Sequence, residues 1–206
     1  MLKLYFTPDT CALASHIALE QAGADYEAVR IDFATNGQRD PKFLAINPKG
    51  RVPALVTERG ILTETPAILV YIAQRFPAAK LAPLDDPFAL AETQAFNSYL
   101  CSTVHVAHAH RMRGTRWSDD PATIEGMKRG APKSVAAAFE LIEIGMLKGP
   151  WVMGENYSIC DPYLFTLAQL LEADGVDTSK LPRVMDHRRR MAAHAVVRRA
   201  LAAELA

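Results

Sequence analysis

The spacing of hydrophobic positions changes along the chain. Leu2–Phe6 is a short apolar and aromatic run and predicts a strand. In Ala12–Gly23, Leu13, Ile17 and Leu19–Ala22 predict a helix, ended by Gly23 as a C′ glycine. Tyr26–Ile31 alternates between apolar and polar and predicts a second strand. Asp40–Ile46 reads as a short helix, started at Asp40 with Pro41 in its first turn. Val52–Thr57 and Gly60–Thr63 are two runs joined by a tight turn at Glu58-Arg59-Gly60, a hairpin. Pro66–Phe76 carries Ile68, Leu69, Tyr71 and Ile72 and predicts a helix that stops before Pro77. The order β-α-β-α-β-β-α predicts a mixed sheet. A crossover helix makes the first two strands parallel, and the tight turn makes the last two antiparallel.

The pattern then changes. Residues 77–87 hold Pro77, Pro83, Pro87 and Asp85-Asp86 and read as a linker. Beyond it only helical patterns follow: Phe88–Met112, Pro121–Leu147, Ser158–Glu172, Leu181–Ala193 and Ala195–Leu205. Gly130 and Pro132 weaken the second of these. The expected organisation is α/β plus all-α: an α/β domain over residues 1–80 and an all-helical domain over 81–206.

Composition narrows the function. Half of the 206 residues are hydrophobic, and 23 basic side chains balance 23 acidic ones. That excludes a disordered chain and argues against a nucleic-acid binder. Residues 1–80 hold nine basic and eight acidic side chains, so neither half is a charged tail. The basic run Arg183–Arg190 reads as a solvated helix face or turn. Cys11, Cys101 and Cys160 are an odd number without paired or zinc-like spacing, which points to a reducing compartment. The N-terminus lacks the apolar core of a signal peptide. No apolar run reaches the roughly 18 residues of a membrane span. A cytoplasmic globular protein is expected.

Three segments can carry chemistry. In T7-P-D-T-C-A-L-A-S-H16, a strand ends, a loop follows and a helix begins near Cys11. The unpaired N–H groups and partial positive charge of a helix start favour a thiolate there. An inert cysteine packing the helix onto the sheet fits the position equally. Ala14 stands three residues on, so there is no CxxC, and a disulfide step would need an external thiol. In N47-P-K-G-R-V-P53, a proline opens a strand. A cis Val52–Pro53 bond would leave the Val52 backbone open to an added extended peptide, whereas a plain trans proline would merely begin the strand. In L62-T-E-T-P-A67, Glu64 and Thr65 start a helix with Pro66 in its first turn. Helix-start N–H groups can bind a carboxylate and Glu64 can accept from an ammonium, or Thr63 and Thr65 simply cap.

Together, in this order, the three segments resemble the N-terminal domain of glutathione transferases, a thioredoxin-like fold followed by a helical domain. The resemblance extends over the whole chain and is greatest to the bacterial beta class. It rests on Tyr5-Phe6-Thr7-Pro8-Asp9-Thr10-Cys11 with His16 following, on Asn47–Leu55 as NPxGxVPxL, and on Thr63–Ile68 as T-E-x-P-A-I. In the helical part, S98-Y-L-C-S-T-V-H105 matches a family helix ending in histidine, and S158-I-C-D161 a family capping box. The resemblance implies a detoxifying homodimeric transferase that uses glutathione as cosubstrate and no metal. Cys11 would lie beside the glutathione sulfur and can form a mixed disulfide with it. Val52, followed by Pro53, would pair with the cysteinyl backbone, and Glu64 and Thr65 would hold the γ-glutamyl end. His105 would face the sulfur from the helical domain. Ser102 and Thr103 would approach glutathione across a dimer interface.

Some residues depart from that pattern. Ala12 replaces a serine common after the cysteine, and Thr10 is the hydroxyl that could substitute. Thr103 replaces an acidic residue, and the loop Ala34–Asp40 offers only Gln38 and Arg39 where a lysine often stands. Tyr5 is read as core packing. His105, His108 and His110 are close in sequence, and the first two share a helix face, but a metal needs further ligands and no Asp or Glu lies nearby in sequence. Two alternatives to conjugation stay open: thiol–disulfide, peroxidase or reductive dehalogenase chemistry through a Cys11 mixed disulfide, and a non-catalytic binder of hydrophobic ligands.

Overall fold

The computed structural model of the chain describes residues 1–205. Four strands form one sheet: β1 (Leu2–Phe6), β2 (Tyr26–Arg30), β3 (Ala54–Thr57) and β4 (Gly60–Thr63). Their order is β2-β1-β3-β4, with β1–β2 parallel and both β1–β3 and β3–β4 antiparallel. This is the mixed sheet that the crossover and hairpin patterns dictate. The helices are α1 (Ala12–Gln21), α2 (Pro41–Ile46), α3 (Thr65–Arg75), α4 (Pro87–Tyr99), α5 (His105–Met112), α6 (Pro121–Leu141), α7 (Cys160–Ala168), α8 (Pro182–Ala193) and α9 (Ala195–Leu205).

The described residues divide into two compact units, residues 1–91 with 191–205, and residues 92–190. In the first, Leu2, Leu4 and Phe6 alternate along β1 and are buried, as a period of two requires when one face meets the core. Ile68, Leu69, Ile72 and Ala73 form the buried stripe of α3. Helix α1 has no such stripe: every residue from Ala12 to Leu19 is buried. A helix buried on all sides needs cover on all sides. It packs on β1, on α3 and on α9, whose Val197, Ala200 and Glu204 are buried.

That cover includes a polar tie. His16 is fully buried and its Nδ1 lies 3.2 Å from Oε1 of the buried Glu204. The His16 ring meets Phe6 and, edge-on, Tyr26. Tyr26 donates to Glu20 Oε1 at 2.8 Å, and Arg199 of α9 donates to Glu20 Oε2 at 3.4 Å. Burial, then the Glu20 bond, pushes the Tyr26 hydroxyl well above its usual pKa, so it stays a neutral donor.

In the second unit the helices differ from their sequence-predicted spans. Phe88–Met112 was expected as one helix. The structure inserts a π-helical turn, Leu100–Val104, between α4 and α5. A second π turn, Ile142–Met146, ends the run that begins at Pro121. Each wide turn adds a residue between helical segments, which shifts the phase of the apolar stripe without breaking it, so periodicity alone does not register it. Pro132 sits inside α6 without ending it. α7 ends at Ala168, short of the predicted Glu172, and turns follow. The core here contains Leu100, Val135, Phe139, Tyr163, Phe165 and Val184.

The run Arg183–Arg190 is not the solvated face that its charge suggested. Val184 and His187 are buried, and only part of the run faces water. Arg183 donates through Nη1 to Glu143 O at 2.6 Å and through Nη2 to Leu147 O, capping the second π turn. His187 Nε2 lies 3.0 Å from Asp161 Oδ1. Asp161 also accepts from the N–H of Val152 at 2.8 Å and of Ser158 at 2.7 Å, and Ser158 Oγ in turn accepts from Cys160 N–H. This is the capping-box exchange expected of S158-I-C-D161, enlarged by a histidine. Asp161→Ala would leave buried donors of three residues without their acceptor. The expected cost is about 3–5 kcal/mol. Denaturant titration followed by helical circular dichroism measures it, and a loss below about 1 kcal/mol would contradict the role given to Asp161.

Candidate active site

Strand register brings the three chemical segments of the first unit together. Tyr5 pairs with Ala54, and Ala54 pairs with Thr63. The residues just beyond these positions are the loop leading to Cys11, the Val52–Pro53 turn and Glu64–Thr65. One edge of a three-strand ladder therefore carries all three.

The Val52–Pro53 bond is cis, which decides between the two readings of Pro53. Val52 lies outside the β3 ladder, which begins at Ala54. Asn47 holds the turn from within: its side chain donates to Arg51 O at 2.6 Å and accepts from Lys49 N–H at 3.2 Å. Gly50 takes a left-handed φ of 61°, and a Cβ there would stand 2.9 Å from Gln38 O. The loop after β2 thus backs directly against this turn, and only glycine allows the approach.

Cys11 is half-buried at the start of α1, and no disulfide links it. Its Sγ donates to Val52 O at 3.5 Å. Thr10 shapes the loop: Oγ1 donates to Thr7 O at 2.7 Å and accepts from Ala12 N–H at 3.3 Å. Its one hydroxyl proton is directed at Thr7. Thr7 Oγ1 in turn donates to Ile31 O at 2.6 Å, which fastens the loop to the chain leaving β2. Tyr5 packs against Phe43, as core packing requires.

Glu64 has φ 73° and ψ 120°, a left-handed backbone that a residue with a Cβ adopts at a cost of order 1–3 kcal/mol. Its side chain is about half exposed. Thr65, the first residue of α3, is buried beneath it. Lys49 was not singled out from the sequence, yet its Nζ pairs with Glu64 Oε1 and donates to Thr63 Oγ1 at 2.7 Å. The only sequence signal was its place in the segment already linked to the site.

The remaining expected residues lie in the second unit. Ser102 and Thr103 are exposed on the first π turn, and Ser102 Oγ donates to Ser98 O at 2.8 Å. His105 begins α5, half-buried, with its ring centroid 6.3 Å from that of His108. His108 does have a carboxylate partner, contrary to expectation: Asp174, distant in sequence, lies 2.8 Å from its Nδ1. Among the described residues no group of three or more His, Cys, Asp or Glu is arranged to hold a metal ion. Cys160 is deeply buried, donates to Thr93 O at 3.4 Å, and has its pKa pushed well up by that burial, so it is an inert thiol.

Comparison with known proteins converges on one group. Residues 1–74 match the family Glutathione S-transferase, N-terminal domain. The chain is 30% identical to glutathione S-transferase GST-4.5 of Xanthomonas campestris pv. campestris, with 98% of each chain covered. A crystal structure of a glutathione transferase homolog from Sulfitobacter, with glutathione bound, superposes with a TM-score of 0.96 at 46% identity, covering 100% of this chain and 99% of that one. A bacterial beta class glutathione S-transferase of Sphingomonas chungbukensis superposes at 0.85 with 34% identity, covering 98% of each. With its thioredoxin-like domain and helical remainder, this chain belongs to the glutathione S-transferase family.

Proposed function

We propose that this glutathione S-transferase forms the thiolate of glutathione beside Cys11 and transfers it to small, largely hydrophobic electrophiles. The carrying observation is the meeting of two segments at one backbone group. Cys11 Sγ stands 3.5 Å from Val52 O, at the turn where an extended tripeptide would add as a strand. A cysteine sulfur arriving in that tripeptide would come to rest near Cys11 and the start of α1. The dipole of that helix start favours the thiolate. Lowering a thiol pKa by two units takes about 2.7 kcal/mol, towards which the helix start contributes. The transfer then needs no other reagent: the sulfur lone pair forms the new S–C bond, and the leaving group departs with its own electron pair.

The other roles follow from the site. Glu64, which carries Lys49 on one oxygen, accepts the α-ammonium of the γ-glutamyl end. Thr65 and its neighbours offer N–H groups to the α-carboxylate at the start of α3. Thr10 keeps the Cys11 loop in shape. The close relation of the Cys11 thiol to the Val52 carbonyl also favours a second reading. The Cys11 thiolate attacks the glutathionyl sulfur of a disulfide between glutathione and a substrate thiol, forming a mixed disulfide with glutathione and releasing the substrate thiolate. A glutathione thiolate then attacks that glutathionyl sulfur, which releases the Cys11 thiolate and leaves glutathione disulfide as the oxidised product. We include in the proposal a cytoplasmic homodimer in which Ser102 and Thr103 reach the partner's glutathione. A lone chain leaves Phe88 76% exposed and Ile61 of the edge strand β4 42% exposed, and the three cysteines form no disulfide.

Three outcomes are expected. Glu64→Gln raises the KM for glutathione about tenfold with little change in kcat, read from initial rates with chlorodinitrobenzene; an unchanged KM removes Glu64 from the site. Cys11→Ala keeps conjugation within about tenfold but loses a glutathione adduct seen by intact mass, since covalent chemistry is not required for transfer. A collapse of conjugation in that variant would instead make the mixed disulfide obligatory. Size exclusion shows a species of twice the 22.6 kDa chain mass, and a monomer would refute the dimer.

A further inference from the structure

Within the first unit, one ion pair joins two segments of the site. Lys49 belongs to the turn before the cis Val52–Pro53 bond, and Glu64 to the corner between β4 and α3. Lys49 Nζ pairs with Glu64 Oε1 and donates to Thr63 Oγ1 at 2.7 Å. Both charged side chains are about half exposed, and an exposed pair adds little to stability. The pair is nevertheless firmly mounted. Asn47, 1% exposed, accepts from Lys49 N–H at 3.2 Å through its side chain and from Gly50 N–H at 2.9 Å through its backbone carbonyl. It also donates to Arg51 O at 2.6 Å, so the turn is pinned on both sides of Lys49. Thr63 is fixed by its pairing with Ala54.

Both members of the pair keep unspent capacity. A lysine ammonium has three donors, and Lys49 uses two. Glu64 Oε2 has no hydrogen-bond partner among the described residues. Next in the chain, Thr65 is only 4% exposed, yet its hydroxyl has no partner among the described residues and opens to the surface. The first turn of α3 is short of N–H donors. Pro66 has none, and Ile68 N–H is spent on Glu64 O, which leaves Thr65 and Ala67. A carboxylate laid against that turn meets neutral donors from the helix. Lys49 adds a full positive charge to them.

We infer that Lys49 and Glu64 act as one dyad that reads the zwitterionic α-amino acid end of glutathione, with Lys49 binding its α-carboxylate. The α-ammonium takes Glu64 Oε2, and the α-carboxylate takes the third donor of Lys49. Four charges then alternate in sign around a closed ring. The lysine stays in place when the ammonium arrives, because Thr63 holds its Nζ on the strand side and the ammonium needs only the second oxygen. This rests on the glutathione reading above and deepens it. Lys49 becomes a binding residue that selects peptides whose first residue carries both charges on one carbon.

Titration with thiol-blocked peptides tests the dyad apart from turnover. S-methylglutathione carries both charges, and 4-aminobutyryl-S-methylcysteinylglycine lacks only the α-carboxylate. Calorimetry of the full chain is expected to give about thirtyfold tighter binding of S-methylglutathione, since Thr65 and Ala67 also hold that carboxylate. Lys49→Gln is expected to weaken S-methylglutathione about tenfold and to leave the aminobutyryl peptide within about twofold. Lys49→Arg keeps the cation and holds the loss to about threefold. An equal loss for both peptides in Lys49→Gln, or no loss for either, overturns the dyad. Tighter binding of S-methylglutathione by Lys49→Gln also overturns it and makes the lysine a competitor for Glu64. If the parent chain binds neither peptide, the glutathione reading fails and the dyad fails with it. If the titrations follow the expected pattern while glutathione is not conjugated to chlorodinitrobenzene, the transfer step alone fails and the dyad stands.

Discussion

The site depends on a backbone ladder. Tyr5, Ala54 and Thr63 stand in one row across β1, β3 and β4. A slip of one residue in either pairing would turn each strand's side chains to the other face. The buried Leu2, Leu4 and Phe6 would then meet solvent, so burial on one face fixes the register. The same register sets which loop ends lie together at the edge of the sheet. Core formation and site assembly are thus one event in the first unit, and the chemistry can be left to short, exposed segments. Glu64 illustrates the division of labour. Its left-handed backbone is an unfavourable conformation that the ladder on one side and α3 on the other impose on it.

The second theme is the buried carboxylate with a histidine. Glu204 faces His16, Asp161 faces His187, and Asp174 faces His108. Each joins segments distant in the sequence, and each sits where apolar contact alone would leave orientation loose. Asp161 is saturated with donors and serves folding. Asp174 takes His108 and Arg111 of α5 and ties that helix to the turn after α7. His16 Nε2 and His187 Nδ1 are buried without a hydrogen-bond partner among the described residues, so both rings act through one nitrogen.

Much of this was legible in the residues. The strand and helix pattern of the first eighty positions, the hairpin and the meeting of Cys11, Val52 and Glu64 in one fold could all be read from spacing and motif. Local features were legible because they are local: a capping box spans four residues, and a proline restricts its own bond. What escaped has the opposite character. The partner of His108 is 66 positions away, and no local pattern connects it to Asp174. Lys49 looked like an ordinary polar residue of its turn until the fold brought it to Glu64. The π turns add a residue to a helix without disturbing its apolar content. The run at Arg183–Arg190 looked like uniform charge, and only packing distinguishes His187, turned inward, from Arg189, turned out.

Helix α1 carries one more implication, which concerns how the molecule is made. It follows the first strand in the chain, yet its burial is completed by α9, whose Glu204 lies 188 positions after His16. During vectorial synthesis α1 emerges early and must remain partly uncovered while the intervening residues are translated, at about 5–20 per second. For that interval an apolar helix and an unpaired imidazole face solvent or a chaperone. A nascent chain arrested before α9 would therefore contain Cys11 and the whole sheet while lacking the cover that completes the burial of α1.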